Sequence, residues 1–444
     1  MIGDQSSSAE SIRGTNKSSK KESDMQNLPV NAKRLWDTIT ETAKIGGTAI
    51  GGICRLALTD DDRRVRDWFV KESESIGCTI TVDEMGNIFA RQRGKDNSLP
   101  PIAIGSHLDT QPCGGKFDGI VGVLSGLEVV RTLNDANYVT NAPLEVINWT
   151  NEEGSRFAPP MLASGVFAGV FDLDFAHSRK DREGKKFGEE LERIGYCGKT
   201  KCGDHKLGAY FELHIEQGPV LEAENKMIGV VTGVQSQRWY EVTVTGRESH
   251  AGSTPMPLRK DAMLACARVI EAINKIALSR APLAVSTVGL VEVKPNSRNV
   301  IPGSVFFSVD LRHPSDTVLA EMDKELKKVV EEVVTDMELK ANLKNFWSAP
   351  STKFDEVCVG AVHTAVENLG YSYRYMISGA GHDAVYIARV SPTAMIFIPC
   401  RNGISHNELE KTEPEYVAAS ANLLLSTVVA HDKAMRDKTS QNPQ

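Results

Sequence analysis

The sequence is short of several features that would fix its class at once. No apolar run approaches the roughly 20 residues of a membrane span, so nothing in it reads as a membrane protein. It has no long basic stripe and a formal net charge of -7, which argues against a nucleic-acid binder, because phosphate contacts need a cationic surface. Its eight cysteines lack the rhythm of a disulfide framework, which suits a reducing compartment. Cys197 and Cys202, the closest pair, have no second Cys or His pair at matching spacing, so no structural zinc is expected there. No internal repeat is evident. Gly46-Gly47 and Gly51-Gly52 lack the flanking strand and the Lys-Ser/Thr of a nucleotide-binding loop. Residues 1–28 hold almost nothing to bury, so they are expected to be disordered. Asp4, Glu10, Glu22 and Asp24 speak against a mitochondrial presequence, and there is no apolar core for a secretory signal. The last residues carry no peroxisomal tripeptide, so a cytoplasmic location is expected.

What is present is a chain of 444 residues, 41% hydrophobic and 25% charged, long enough for two globular domains. From about Arg34 to Gly233 helix and strand patterns alternate, which implies an α/β fold with a mostly parallel sheet between helices. Val65, Trp68, Phe69 and Ile76 predict a helix over 63–77. Ile120, Val123, Leu124, Leu127 and Val130 predict an amphipathic helix over 119–133. Ile102 to Ile104 and Leu144 to Trp149 read as strands.

The texture changes after Val234. Alternation from Trp239 to Val244 is strand-like, a loop runs from Gly246 to Pro257, and a helix is expected over 258–276. Strands over 284–293 and 304–312 flank the turn Pro295-Asn296-Ser297. A helix over 317–336 and a last strand over 337–346 complete a smaller α+β module. The expected organisation is therefore a catalytic domain of residues 29–233 and 351–444, with residues 234–350 inserted as a lid and dimerisation domain. Hinges are expected near Gly233 and Ala349-Pro350.

The chemistry lies where the first region's strands end. His107-Leu108-Asp109 ends one strand, Asp118-Gly119 opens a helix, and Asn151-Glu152-Glu153-Gly154 ends another strand. His214 follows Phe211-Glu212-Leu213. Taken singly, His107 could be a satisfied polar residue, Asp118 a helix cap and Glu152-Glu153 a solvated acidic loop. Together they supply what a pair of divalent metals needs, because open α/β sheets place their sites at strand ends. Asp118 would bridge the metals, with His107, Glu153, His214 and a late histidine as terminal ligands. Asp109 would orient the His107 ring, and Glu152 would be left to move a proton. This pattern points to a metal-dependent hydrolase.

These pieces, with the late Ser405-His406-Asn407, resemble the metal site of the dinuclear-zinc aminoacylase and dipeptidase superfamily. The segments Asn151 to Phe157, Phe211 to Pro219 and Gly379 to Asp383 resemble one branch of it. That branch holds the N-carbamoyl-L-amino-acid amidohydrolases, the yeast-type β-ureidopropionases and the allantoate amidohydrolases. The likeness runs from about Ala32 to about His431. It implies two divalent ions, zinc above all and manganese, cobalt or nickel in principle, held by His107, Asp118, Glu153, His214 and His406, with Glu152 as general acid and base. It further implies that His250 polarises the scissile carbonyl across a homodimer interface, and that Asn299 and Arg312 hold a substrate carboxylate. Gln217 and His382 are expected to touch substrate and Asp383 to support the metal shell. The residues leave other readings open: His250 could cap the helix that follows it, and Arg312 could pair with Asp310. The implied reaction is hydrolysis of an N-carbamoyl amino acid, with N-carbamoyl-β-alanine as one candidate and pyrimidine breakdown as its setting. Allantoate hydrolysis and a catalytically silent metal-binding dimeric scaffold are the alternatives.

Overall fold

The computed structural model describes residues 28–441; the N-terminal segment expected to be disordered lies almost wholly outside them. The chain forms two compact units, one running to Thr232 and resuming at Phe354, the other spanning Gly233–Lys353.

The first unit is built on a nine-stranded sheet, whose two-residue edge strand Thr352–Lys353 falls at the end of the second unit's span. Its strands are β1 (Thr79–Val82), β2 (Ile88–Gln92), β3 (Ile102–His107), β4 (Leu144–Trp149), β5 (Ala209–Ile215), β6 (Ile228–Val234), β7 (Thr352–Lys353), β8 (Tyr373–Ser378) and β9 (Thr393–Ile398). They lie in the order β1-β2-β4-β3-β5-β9-β6-β7, with β8 also on β6. The four central strands β4, β3, β5 and β9 are parallel, and β2 and β6 flank them antiparallel. Every residue of those four is buried. Successive side chains point to opposite faces, so both faces are covered, as a parallel sheet requires.

The helix after Asp118 spans Ile120–Asp135 and is buried continuously from Ile120 to Leu133, so the expected amphipathic face does not exist. One side lies on β3 and β5, and the helices Ala32–Thr42 and Pro414–Gln441 cover the rest. The polar residue Glu128 is fully buried because Arg34 clasps its carboxylate at 2.7 Å and the Asn31 amide also donates to it. Close approach to the sheet depends on glycine. A Cβ at Gly122 would stand 2.3 Å from the Leu213 carbonyl oxygen.

The second unit follows different rules. Its five-stranded sheet is antiparallel, ordered Val291–Lys294, Ser304–His313, Ser236–Thr245, Lys340–Ala349, with Val285–Thr287 also on Ser304–His313. Residues along Ser304–His313 alternate between half-buried and buried, the period-two pattern of a one-sided sheet. The buried face, with Val242, Val305 and Phe307, packs on the helices Ala262–Leu278 and Asp316–Asp336 through Ile273 and Leu326. The single strand expected over 284–293 is two short ones, broken at Val288-Gly289-Leu290. There the Leu290 carbonyl still accepts from the Ser308 amide at 3.1 Å, so the edge bends without losing contact. Ser249–His250 and Val300–Ile301 form a separate two-stranded ribbon.

Replacing Gly122 by alanine forces the helix off β5. The expected cost is about 1–3 kcal/mol, read as a lower urea midpoint in the far-ultraviolet circular dichroism signal; an unchanged midpoint would show the helix free to shift.

Candidate metal centre

The chain delivers four chemical groups to the carboxyl ends of the four parallel strands. His107 is the last residue of β3, Glu152 and Glu153 follow β4, His214 is the next-to-last residue of β5, and His406 lies beyond β9. The turn after β4 is sharp because Asn151 (φ 58°) and Gly154 (φ 63°) adopt left-handed backbone on either side of the two glutamates. Asp118 precedes Gly119, the left-handed residue (φ 68°) that opens the buried helix, so its carboxylate stands near the positive end of that helix.

Two ligand trios result, and Asp118 belongs to both. His107, Asp118 and His214 offer donor atoms within 4.8 Å of one another, and so do Asp118, Glu153 and His406. Asp118 Oδ1 lies 3.8 Å from His107 Nε2 and 3.1 Å from His214 Nε2, while Oδ2 lies 3.4 Å from His406 Nε2. Glu153 Oε2 completes the second trio at 3.4 Å from His406 Nε2. His107 and His214 each place Nδ1 2.9 Å from a backbone carbonyl, of Asp109 and Ile215 respectively. Carbonyls only accept, so Nδ1 carries the proton in both rings and the Nε2 lone pairs face Asp118. The Gly119 amide, donating to His214 Nε2 at 3.0 Å, requires the same tautomer. Lone pairs facing a carboxylate at this range call for a proton or a cation between them. Imidazole nitrogen and carboxylate oxygen are also suitable donors for divalent zinc, manganese or cobalt.

The surrounding charges say the same. Burial, then Asp383 and Glu153, push the Glu152 carboxyl well above the carboxylate range. Burial and Asp118 do so for Glu153. Asp109 is raised to about 7, mainly by burial, and Glu410 to about 8 by burial and Asp118. Asp118 alone is held low: burial opposes ionisation, but the His214 contact, and then the charges that His214, His406 and His107 carry when protonated, outweigh it. Several carboxyls driven toward neutrality around one ionised aspartate need positive charge. Amide donors occupy part of that space, with Gln111 Nε2 2.6 Å from Glu153 Oε2 and Gln217 Nε2 2.8 Å from Asp118 Oδ2. Gln217 Oε1 is buried without a hydrogen-bond partner.

The expected residues do not all act through the atoms anticipated. The group on the His107 ring is the Asp109 carbonyl; the Asp109 carboxylate lies 3.9 Å away and instead accepts from the Glu152 and Glu153 amides at 3.3 Å. Glu152 stands outside both trios, with Oε2 3.5 Å from His107 Nε2. Gln217 hydrogen-bonds the candidate bridging carboxylate. His382 is buried with its ring 4.4 Å from the His214 ring, and Asp383 accepts the Ser164 hydroxyl.

In the second unit, His250 Nδ1 accepts from the Gly252 and Ser253 amides at 3.0 and 3.2 Å, capping its own loop and leaving the residue exposed. Asn299 joins it through the short ribbon, its carbonyl accepting from Ala251 at 2.9 Å. Arg312 grips Asp310, with Nη2 2.7 Å from Oδ2. Two positioning residues escaped the sequence reading. Glu410 accepts from the Phe117 and Asp118 amides at 3.0 and 3.1 Å, and nothing in the sequence separates it from its half-buried neighbour Glu408. Gln111 shares a loop with Asp109, a position that could have flagged it.

These shifts predict a pH dependence for protein stripped of divalent ions. Folded Asp109 and Glu410, at about 7 and about 8, lie above ordinary carboxylates, so they oppose folding at high pH and stop doing so as pH falls through those values. His107, lowered to about 4 by burial, adds an opposing loss only below its ordinary 6.5. The melting temperature of chelated protein should therefore rise from about pH 8.5 to about pH 6.5. Added zinc should raise it more at the higher pH. A falling trend in scanning fluorimetry would contradict the charge balance described.

The chain is similar to known proteins. Residues 103–430 match the model of peptidase family M20/M25/M40. The chain is 50% identical over 404 residues to an N-carbamoyl-L-amino-acid amidohydrolase of Rhizobium meliloti, covering 91% of this chain and 97% of that one. An allantoate amidohydrolase of Bacillus subtilis is 34% identical, over 85% of this chain and 92% of the relative. A crystal structure of a hydantoinase/carbamoylase-family amidase from Burkholderia vietnamiensis is 56% identical, with a TM-score of 0.89 over 91% of this chain and 98% of that chain. Matched by the family model over residues 103–430 and 50% identical to a relative aligned over 97% of its length, the chain belongs to peptidase family M20/M25/M40, in its aminoacylase and carbamoylase branch.

Proposed function

We propose that this protein is a metal-dependent amidohydrolase that cleaves the ureido carbon–nitrogen bond of N-carbamoyl-L-amino acids, giving amino acid, ammonia and carbon dioxide. The observation that carries the reading is the pair of donor trios sharing Asp118, with Glu152 beside them and bound to neither. The 50% identity to an N-carbamoyl-L-amino-acid amidohydrolase favours this substrate class over allantoate, whose hydrolase is 34% identical.

His107, Asp118 and His214 would hold one divalent ion and Asp118, Glu153 and His406 a second, zinc in the first instance. Divalent ions in such a site supply Lewis acidity to a carbonyl and acidify water. Glu152 takes the proton of the attacking water and delivers it to the departing nitrogen. Its raised affinity for a proton, from burial and from Asp383 and Glu153, suits a group that must take a proton and hand it on. Asp109 fixes the turn carrying Glu152 by holding its amide. His250 donates to the developing oxyanion. Asn299 and Arg312 hold the substrate carboxylate, which for Arg312 means exchanging Asp310 for a second carboxylate of the same shape.

The geometry of the second unit supports a homodimer. His250 and Asn299 sit by the start of the strand Ser304–His313 and Arg312 near its end, eight residues on, or ~26 Å at about 3.3 Å per residue. One small substrate cannot touch both groups from a single copy of this unit, so His250 and Asn299 would come from a second copy. Exposed Met263, Leu264 and Leu278 on the helix and Leu283 and Val285 on the sheet edge offer apolar area for such pairing. The eight free thiols fit a cytoplasmic enzyme. Among the described residues no helix is long and apolar enough to cross a membrane.

Ammonia release from N-carbamoyl-L-, D- and β-amino acids and from allantoate, with and without divalent ions, tests the assignment; allantoate turned over faster than every carbamoyl amino acid would replace it. Glu152→Gln should cut kcat by about 10²–10⁴-fold with metal content near wild type. A variant keeping most of its activity would remove Glu152 as the proton carrier. Metal binding without turnover of any ureido compound would leave the silent scaffold.

A further inference from the structure

Beyond the hydrolytic site, one pair of side chains has no part in the chemistry above. Ile53 and Gly114 exchange both backbone hydrogen bonds, each at 2.9 Å, forming an isolated antiparallel bridge. The residues just outside that bridge on the two segments are Cys54 and Cys113. Neighbours next to a doubly hydrogen-bonded antiparallel pair bring their Cα atoms to about 4.5–5.5 Å, within the about 4.4–6.8 Å that a disulfide spans. Both thiols are free and exposed, whereas Cys78, Cys266, Cys358 and Cys400 are buried. Cys113 sits on the turn that leads from Gln111, the donor to Glu153, toward Asp118. Cys54 precedes Arg55, whose guanidinium holds the Leu108 carbonyl between His107 and Asp109 at 2.8 Å. A bond between the two sulfurs would tie together the two segments that flank the metal-facing loop.

We propose that Cys54 and Cys113 form a reversible disulfide that clamps the Gln111–Phe117 loop, with a low-molecular-weight disulfide such as oxidised glutathione as the oxidant. The Cys113 thiolate attacks one sulfur of the glutathione disulfide and expels one glutathione thiolate. The Cys54 thiolate then attacks the Cys113 sulfur of the mixed disulfide, closing the protein S–S bond and expelling the second glutathione. The protein loses two thiol protons and two electrons, and both glutathiones leave as thiols. Burial and then the charge of Cys113 raise the Cys54 thiol. Once Cys113 is in the mixed disulfide its charge is gone, and Cys54 ionises more readily as the resolving group.

The test treats the reduced full chain with oxidised glutathione, blocks remaining thiols by alkylation, and maps peptides without reduction. Two of the eight thiols should disappear, in one linked peptide joining Cys54 to Cys113, reversed by dithiothreitol. Cys54→Ser and Cys113→Ser should each leave a stable glutathione adduct on the remaining cysteine. Linkage through any other cysteine, separate adducts on both residues of the wild type, or no thiol loss would overturn the proposal. Amide hydrogen exchange over residues 111–117 should slow in the oxidised form, and a bond formed without that slowing would overturn the clamp. The mapping requires no substrate or metal, so its outcome is independent of the amidohydrolase reading.

Discussion

One buried carboxylate holds the candidate site together. Asp118 turns one oxygen to His107 and His214 and the other to His406, and no other acid in the unit shares both trios. A bridging role of this kind needs a backbone that cannot drift. Glu410 takes the amides of Phe117 and Asp118, Ser405 donates to Asp118 Oδ2 at 2.8 Å, and the next amide, of Gly119, points at His214. Gly119 must be glycine on two counts. Its φ of 68° is left-handed, and a Cβ there would stand 2.3 Å from the His107 ring.

Burying so many acids in one place is costly unless positive charge is near. The fold supplies a little of it away from the ligand atoms. Arg55 is wholly buried beneath the His107-to-Asp109 segment, its value lowered to about 10 by burial and propped up by Asp62 and Asp109. Arg66 pairs with Asp62 at 2.9 Å and also holds the Gly86 carbonyl. Neither guanidinium reaches the trios, so the electrostatic deficit around Asp118, Glu152 and Glu153 is left for divalent ions to meet. The parallel sheet makes the concentration possible, because strands running the same way end on the same edge and bring their terminal residues together. Among the described residues the second unit contributes no comparable cluster; His250 lies in the short ribbon by the start of the strand Ser304–His313, and Arg312 lies near that strand's end.

The first region's α/β alternation was legible in the sequence because parallel strands read as apolar runs, and Leu144–Trp149 is found with the bounds expected from its pattern. The helix over 120–135 was legible as a helix but not in its burial, since Glu128 and Arg131 look like a solvent face until Arg34 and Glu72 are placed against them. The broken edge strand at Val288-Gly289-Leu290 was hidden for a related reason. β-branched residues stand on both sides of it, and only the neighbouring strand decides where pairing lapses.

By itself the sequence determined which residue types were available for chemistry and roughly where along the chain they fell. Paired acids after one strand, a histidine at the end of another and an aspartate before a helix are local patterns, set by strand ends and helix starts. Which atom does what was decided by the tertiary structure. The Asp109 carboxylate serves two amides and not the imidazole, Gln217 lies on Asp118, Arg312 is paired with Asp310, and Glu410, about 290 residues from Asp118 in sequence, anchors its backbone. Such assignments depend on distances of a few ångströms between segments far apart in the chain, and those distances exist only once the sheet has brought its strand ends side by side.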